Sequence, residues 1–253
     1  MIAKRIIPFF LVSGARLVKG TKFSNFVDVG DPTSQAMVYD AQGADEIAIV
    51  DIDAAAQKRT IEPAVITEMI TKCRLPIAAG GGIKDIHDAR KCFHAGADKI
   101  IVNTNAILRP RLIAELADEF GAQSVVVSID VKRNDKGDFD IYINSGTKKA
   151  DIDLVSHVQQ VSAHGAGEII VTSIDKEGTL SGFECDLYKR LQPLVRVPLI
   201  ASGGAGSYDD IVALFETCDC DAAALGKMLF LRDYDIVRIK SYLKGRKVLV
   251  REA

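Results

Sequence analysis

Residues 43–53 of the chain read GADEIAIVDID, and 122 positions later residues 165–175 read GAGEIIVTSID. Gly, Ala, Glu, Ile, Ile and Asp are shared, six identities in eleven positions. The same offset lays LPIAAGGGI (75–83) on VPLIASGGA (197–205). One residue of slippage then lays ADKIIVN (97–103) on CDAAALG (220–226). Three matches in one order at nearly one spacing point to two related halves, because self-similarity at a fixed offset is the mark of a duplicated unit.

Each half carries four short apolar runs: Arg5–Val12, Glu46–Val50, Pro76–Ala79 and Lys99–Val102, then Ser124–Ile129, Glu168–Thr172, Pro198–Ala201 and Asp221–Leu225. Helical patterns separate them at Pro32–Gln42, Ile61–Thr71, Ile86–Ala95, Pro110–Phe120, Ile152–His164 and Tyr208–Cys218. Asp85 and Ser207 stand where N-caps belong, and Gly43, Gly96, Gly121 and Gly165 where helices should stop. Near-continuous apolar strands alternating with amphipathic helices mean a parallel sheet covered by helices. Four strands plus four close as one α/β unit, a (β/α)8 TIM barrel with an internal half-barrel duplication. The halves fall at about 1–122 and 123–253 of the 253 residues, an ordinary length for such a barrel. An open doubly wound sheet is the competitor, but no dinucleotide fingerprint follows the first strand. Residues 133–149, RNDKGDFDIYINSGTKK, read as a short hairpin inserted after strand five.

Charge excludes several classes. Lys plus Arg number 32 and Asp plus Glu 34, a formal charge of -2, which leaves no footprint for nucleic acid or an anionic membrane. No run approaches a membrane span, and MIAKRIIPFFLVSG reads as a first strand rather than a signal peptide. The cysteines (73, 92, 185, 218 and 220) are odd in number and lack Cys-x-x-Cys spacing, the usage of reduced thiols in a cytoplasmic protein. The histidines (87, 94, 157 and 164) all fall in helical patterns, and no cluster has metal-ligand spacing. The expectation is no metal and no cofactor.

In a barrel, function collects where strands end. Gly81 and Gly82 follow strand three; Ser202, Gly203 and Gly204 follow strand seven. Both loops precede a helix and can turn backbone N–H groups toward an anion. Asn103 and Thr104 follow strand four; Gly226 and Lys227 follow strand eight. A glycine loop alone can be only a tight turn, but the symmetric pair predicts two anion sites across one mouth, hence a doubly phosphorylated or nucleotide-like acceptor. Asp130 ends strand five, a position for a general acid or base. Asp51 ends strand two, where it serves the pocket or ties neighbouring loops. Thr172, Ser173 and Asp175 follow on strand six and, with Ser202, complete the candidate pocket, while Glu177 just beyond them joins Asp130 as a candidate catalytic acid.

The opposite face is charged. Arg5, Glu46, Lys99 and Glu168 open strands one, two, four and six. Burying such groups costs several kcal/mol each unless they pair, so they form either a structural ion-pair ring or a polar gate around an axial passage for a small neutral molecule such as ammonia.

AKRIIP (3–8), GADE (43–46), GGGI (80–83), GADK (96–99), VVVSIDVKR (125–133), GAGEI (165–169), TSID (172–175) and ASGGAG (201–206) together resemble one family along essentially the whole chain: the cyclase subunit of imidazole glycerol-phosphate synthase, in histidine biosynthesis. The resemblance implies a duplicated barrel whose separate glutaminase partner docks on the N-terminal floor and releases ammonia into it. At the top the ammonia attacks a doubly phosphorylated ribulosyl nucleotide, and the product splits into imidazole glycerol phosphate and an aminoimidazole carboxamide ribotide. By the same resemblance Arg5, Glu46, Lys99 and Glu168 become the ammonia gate. The glycine loops with Asn103, Thr104 and Gly226 hold the phosphates, and Asp130 is one of two essential acid–base aspartates.

The second aspartate is absent. Family members resemble IIPCLDV in strand one, whereas this chain reads IIPFFLV, with Leu11 in the aspartate's place. Glu177 replaces a usual aspartate, and Lys227 stands where the family has a small residue. A paralogous group with leucine at the equivalent of Leu11 is associated with bacterial surface polysaccharides, where ammonia helps convert an acetamido to an acetamidino sugar. The phrase VKGTKFSNFVDVGDP (18–32) is similar to that group. Three readings follow: an ammonia-delivering paralogue in lipopolysaccharide-type surface-sugar amidination, with a sugar amidotransferase as further partner; a histidine-pathway cyclase that tolerates Leu11; and a non-catalytic, glutaminase-activating scaffold.

Overall fold

The computed structural model describes residues 3–231 and 234–251. Its strands are β1 (Arg5–Ser13), β2 (Arg16–Thr21), β3 (Ser24–Gly30), β4 (Ile47–Asp51), β5 (Ile77–Gly80), β6 (Lys99–Val102), β7 (Val125–Arg133), β8 (Phe139–Ile143), β9 (Lys148–Asp153), β10 (Glu168–Ser173), β11 (Leu199–Ser202) and β12 (Ala222–Leu225). Eight of them, β1-β4-β5-β6-β7-β10-β11-β12, pair in parallel in that order, and β12 returns to β1. The sheet is a closed eight-stranded parallel barrel with helices outside, as the alternating pattern anticipates.

The sequence repeat is a repeat of contacts. Asp98 accepts a hydrogen bond from the Ile77 N–H at 2.9 Å, and Asp221 accepts one from the Leu199 N–H at 2.9 Å, so each half fastens the start of its third strand with the same acid. Helix starts match their signals. Asp85 caps Ile86–His94, and Ser207 caps Tyr208–Cys218 in a capping box with Asp210. Helices expected from Ile61 and Ile152 begin instead at Pro63 and Leu154. Proline suits the first helical turn, and Asp153 accepts from the Ser156 N–H as an N-cap.

Period-two alternation splits β1 between two cores. Ile7 and Phe9 face the barrel axis, where they meet Ala48, Ala78, Ile170 and Ala224. Ile6 and Phe10 face the helices. Each fully buried isoleucine adds about 1.5–3 kcal/mol, and in the axial layer alanines alternate with Ile, Val and Phe side chains.

Two antiparallel hairpins rise from the barrel mouth. The one expected at 133–149 exists, but β7 itself runs to Arg133 and β9 continues to Asp153. Asp130 therefore lies within β7 rather than at its end. The hairpin of β2 and β3 was not anticipated. Its second strand is largely exposed on both faces, so it carries none of the alternation that marks a half-buried strand.

Candidate functional site

The two glycine loops share one cavity at the C-terminal ends of the strands, with a volume of about 440 Å³. Its lining includes Gly81, Gly82, Asn103 and Thr104 from one half and Gly203, Gly204, Gly226 and Lys227 from the other. Glycine is required in these loops. At Gly82 (φ 70°) a Cβ would collide with the Arg59 carbonyl oxygen, and at Gly204 (φ 110°) with that of Gly182. The same close approach thus recurs in both halves.

Asp130 stands in this cavity, 8% exposed. Burial lifts its carboxyl pKa to about 7, against the opposing pull of the Asn103 amide, which donates to Asp130 Oδ2 at 2.9 Å. The same amide donates to the Ser128 carbonyl at 3.0 Å and is thereby fixed in place. A carboxyl that titrates near neutrality in a cleft can take and return a proton. Thr172 and Ser202 line the same cavity, and so does Leu11.

Lys19, in β2, is the residue that sequence reasoning missed. It is 3% exposed, donates to the Phe9 carbonyl at 2.5 Å, and lies 4.7 Å from the centroid of the Phe230 ring. Burial lowers its pKa to about 8, with Glu177 opposing the shift. The only sequence signal is a lysine flanked by Val18 and Gly20 in a short run, which is equally the mark of a surface strand. Glu177 binds the hairpin that carries Lys19: its backbone carbonyl accepts from the Lys22 N–H at 2.9 Å and its carboxylate from the Phe23 N–H at 3.3 Å.

Other expected residues serve differently. Asp51 borders the cavity, but its carboxylate accepts from the N–H groups of Asp53 and Ala54 and pairs with Arg59. That is the loop-tying arrangement. Ser173 and Asp175 are not brought to the cavity. Thr172 points inward, so the pleat turns Ser173 outward, and Asp175 instead accepts from the Arg133 N–H at 2.8 Å.

At the floor Arg5, Glu46, Lys99 and Glu168 form an alternating ring. Arg5 Nη1 contacts Glu46 at 3.1 Å and Glu168 at 3.1 Å; Lys99 Nζ contacts the same acids at 2.7 and 3.0 Å. Burial still raises the pKa of Glu46, with Lys99 the largest opposing influence. No unpaired charge is left in the ring, which is how such groups persist at low exposure. Among the described residues there is no His, Cys, Asp and Glu grouping able to hold a metal, and no helix long and apolar enough to cross a membrane.

Residues 5–235 match the family described as histidine biosynthesis protein. The imidazole glycerol phosphate synthase subunit HisF of Methanocaldococcus jannaschii is 42% identical over 270 residues, covering 99% of both chains. The HisF subunit of Bacillus licheniformis is 42% identical over 252 residues, covering 99% of this chain and 100% of its own, and that of Clostridium botulinum gives the same figures. The chain belongs to the histidine biosynthesis protein family and, within it, to the HisF family.

Proposed function

We propose that this chain is the synthase subunit of an imidazole glycerol phosphate synthase. In this reading a separate glutaminase docks at the N-terminal floor and supplies ammonia. The barrel passes it to a bisphosphate acceptor held across the mouth, in the cytoplasm. The observation that carries the reading is the single cavity that unites two matching glycine loops with Asp130, in a chain whose relatives above are HisF subunits.

The loops would seat one terminal phosphate each through backbone N–H groups. Asp130 would take a proton as ammonia adds to the acceptor, and Lys19 would return one to the departing group, since the two titrate near 7 and 8. The floor ring would be the ammonia gate. Between it and the mouth the axial layer is wholly apolar, with Ala48, Ala78, Ala222 and Ala224 among larger side chains such as Ile7, Phe9 and Ile170, which suits a neutral cargo better than an ion.

A second reading rests on Leu11. It places an apolar side chain in the cavity where the resemblance expects a carboxylate, and this favours an acceptor needing one acid rather than two, such as the acetamido sugar of a surface-polysaccharide pathway with its sugar amidotransferase. The relatives favour the histidine-pathway acceptor. Steady-state turnover of the ribulosyl bisphosphate nucleotide with saturating ammonium separates the two. A rate of roughly 1 s⁻¹ or more supports the first reading; no detectable imidazole glycerol phosphate, with glutaminase activation intact, overturns it, and turnover of an acetamido sugar then separates the second reading from a non-catalytic scaffold.

A further inference from the structure

The second half-barrel carries a pair of thiols outside the cavity. Cys185 opens the helix Cys185–Leu191 and Cys218 ends the helix Tyr208–Cys218. Although 33 residues apart, they meet: Cys218 Sγ donates to the Cys185 carbonyl at 3.7 Å, and the two thiols interact with each other. Both are free; Cys218 is buried and Cys185 is partly exposed. Pro63 stands 122 positions before Cys185 and Gly96 the same distance before Cys218, so the first half has no such pair.

The helix that begins at Cys185 is fastened to the second anion loop. The Tyr188 hydroxyl, fully buried, donates to the Ser202 carbonyl at 2.9 Å and accepts from the Ser202 N–H at 3.1 Å. Ser202 directly precedes Gly203. Just before the helix, the Gly182 N–H donates to the Gly204 carbonyl at 2.8 Å. Cys185 therefore lies between two residues that grip the Ser202–Gly204 segment. In the first half Ile66 holds the place of Tyr188, 122 positions earlier, and has no hydroxyl to give.

We infer that Cys185 and Cys218 are a redox modification site, a dithiol that a peroxide converts to a disulfide, and that this bond loosens the second anion loop while leaving the first intact. The peroxide oxidises the more accessible Cys185 to a sulfenic acid and leaves as water; the Cys218 sulfur then displaces the hydroxyl, giving the S–S bond and a second water. The two sulfurs lose two electrons to the O–O bond, and the two thiol hydrogens leave in the waters. The order follows exposure. Burial pushes the Cys218 thiol up to about 11, which keeps it protonated until its partner has reacted. Bonded sulfurs stand only about 2.0 Å apart, so Cys185 must move toward Cys218, and Gly182 and Tyr188 on either side carry that movement to Ser202–Gly204. The effect on the loop, unlike the disulfide itself, rests on reading the glycine loops as phosphate seats.

Hydrogen peroxide and inorganic phosphate are the probes. Reduced protein treated with peroxide and digested without reductant should yield the Cys185 and Cys218 peptides joined, lighter by two hydrogens, and dithiothreitol should separate them. Cys220 is the competing partner, since it too acts on both thiols; Cys220→Ser should keep the cross-link. In Cys218→Ser, Cys185 should stop at a sulfenic acid that dimedone traps. Crystals of the reduced and oxidised forms, titrated with phosphate, report each loop separately. Oxidation should weaken the second loop at least about fivefold, the low end of ordinary coupling between sites, and leave the Gly81–Gly82 loop unchanged. Cys185→Ser should bind phosphate equally with and without peroxide. No cross-link, or one to Cys220 instead, overturns the modification site. A Cys185–Cys218 cross-link with unchanged second-loop affinity overturns the coupling. Phosphate at neither loop of the reduced protein overturns the bisphosphate reading and the coupling with it, while the cross-link still decides the disulfide.

Discussion

Leu11 and Asp130 hold the same place in the two half-barrels. Leu11 pairs in register with Val50, and Asp130 with Thr172, the residue 122 positions after Val50. Both line the cavity. The duplication thus supplies two equivalent positions for a proton-transferring group, and this chain fills one of them with a hydrocarbon.

Leu11→Asp should therefore raise turnover of the ribulosyl nucleotide with saturating ammonium. A positioned acid or base contributes about 10²–10⁴-fold; a gain of at least about tenfold is expected, because the new carboxyl enters a site arranged around leucine. Steady-state kinetics of the two proteins measure it. An equal or lower rate would mean that the chemistry does not use position 11.

Asp130 sets a pH dependence of both rate and stability. With Asp130 as base near 7 and Lys19 as acid near 8, kcat should follow a narrow bell between those limbs. Asp130→Asn should cost about 10²–10⁴ in kcat. The folded carboxyl titrates above its unfolded value, so its contribution to stability is full below pH 4 and is lost as pH rises through 7. Denaturant unfolding should find Asp130→Asn more stable than the unaltered protein at pH 8, by on the order of 2–4 kcal/mol, and no such advantage at pH 4.

His157 should act in the opposite direction. It is fully buried in the helix Leu154–Ala163, and neither ring nitrogen has a hydrogen-bond partner. Burial lowers its pKa to about 4. Its contribution is therefore complete above pH 6.5 and is lost as pH falls through 4. His157→Leu should flatten the acid side of a melting-temperature profile, with a gain on the order of 2–3 kcal/mol at pH 4. A parallel acid loss in both proteins would show that another group governs it.

The floor ring can be tested without the mouth. Lys99→Met removes one of the two cations that Glu46 and Glu168 share. Glutamine-driven turnover with the glutaminase present should fall at least tenfold relative to ammonium-driven turnover. Equal losses would assign the ring to stability alone, because removing one partner of a buried pair costs about 3–5 kcal/mol.

The barrel, its repeat and its glycine loops are legible in the residues because their causes are local. Strand alternation and N-caps such as Ser207 act within a few positions, and the backbone at Gly82 and Gly204 turns through angles that favour glycine. Asp130 could be singled out for the same reason, by its place near the end of an apolar run. Its pKa could not, since desolvation depends on everything that closes around it. Nor could the partnership of Lys227 with Thr21, 206 residues apart, the role of Glu177 in holding Lys19's hairpin, or the turning of Ser173 and Asp175 away from the cavity. Those depend on which strands close the barrel and where the hairpins fold back over its mouth. A chain far apart in sequence meets there only because eight parallel strands return to their starting edge.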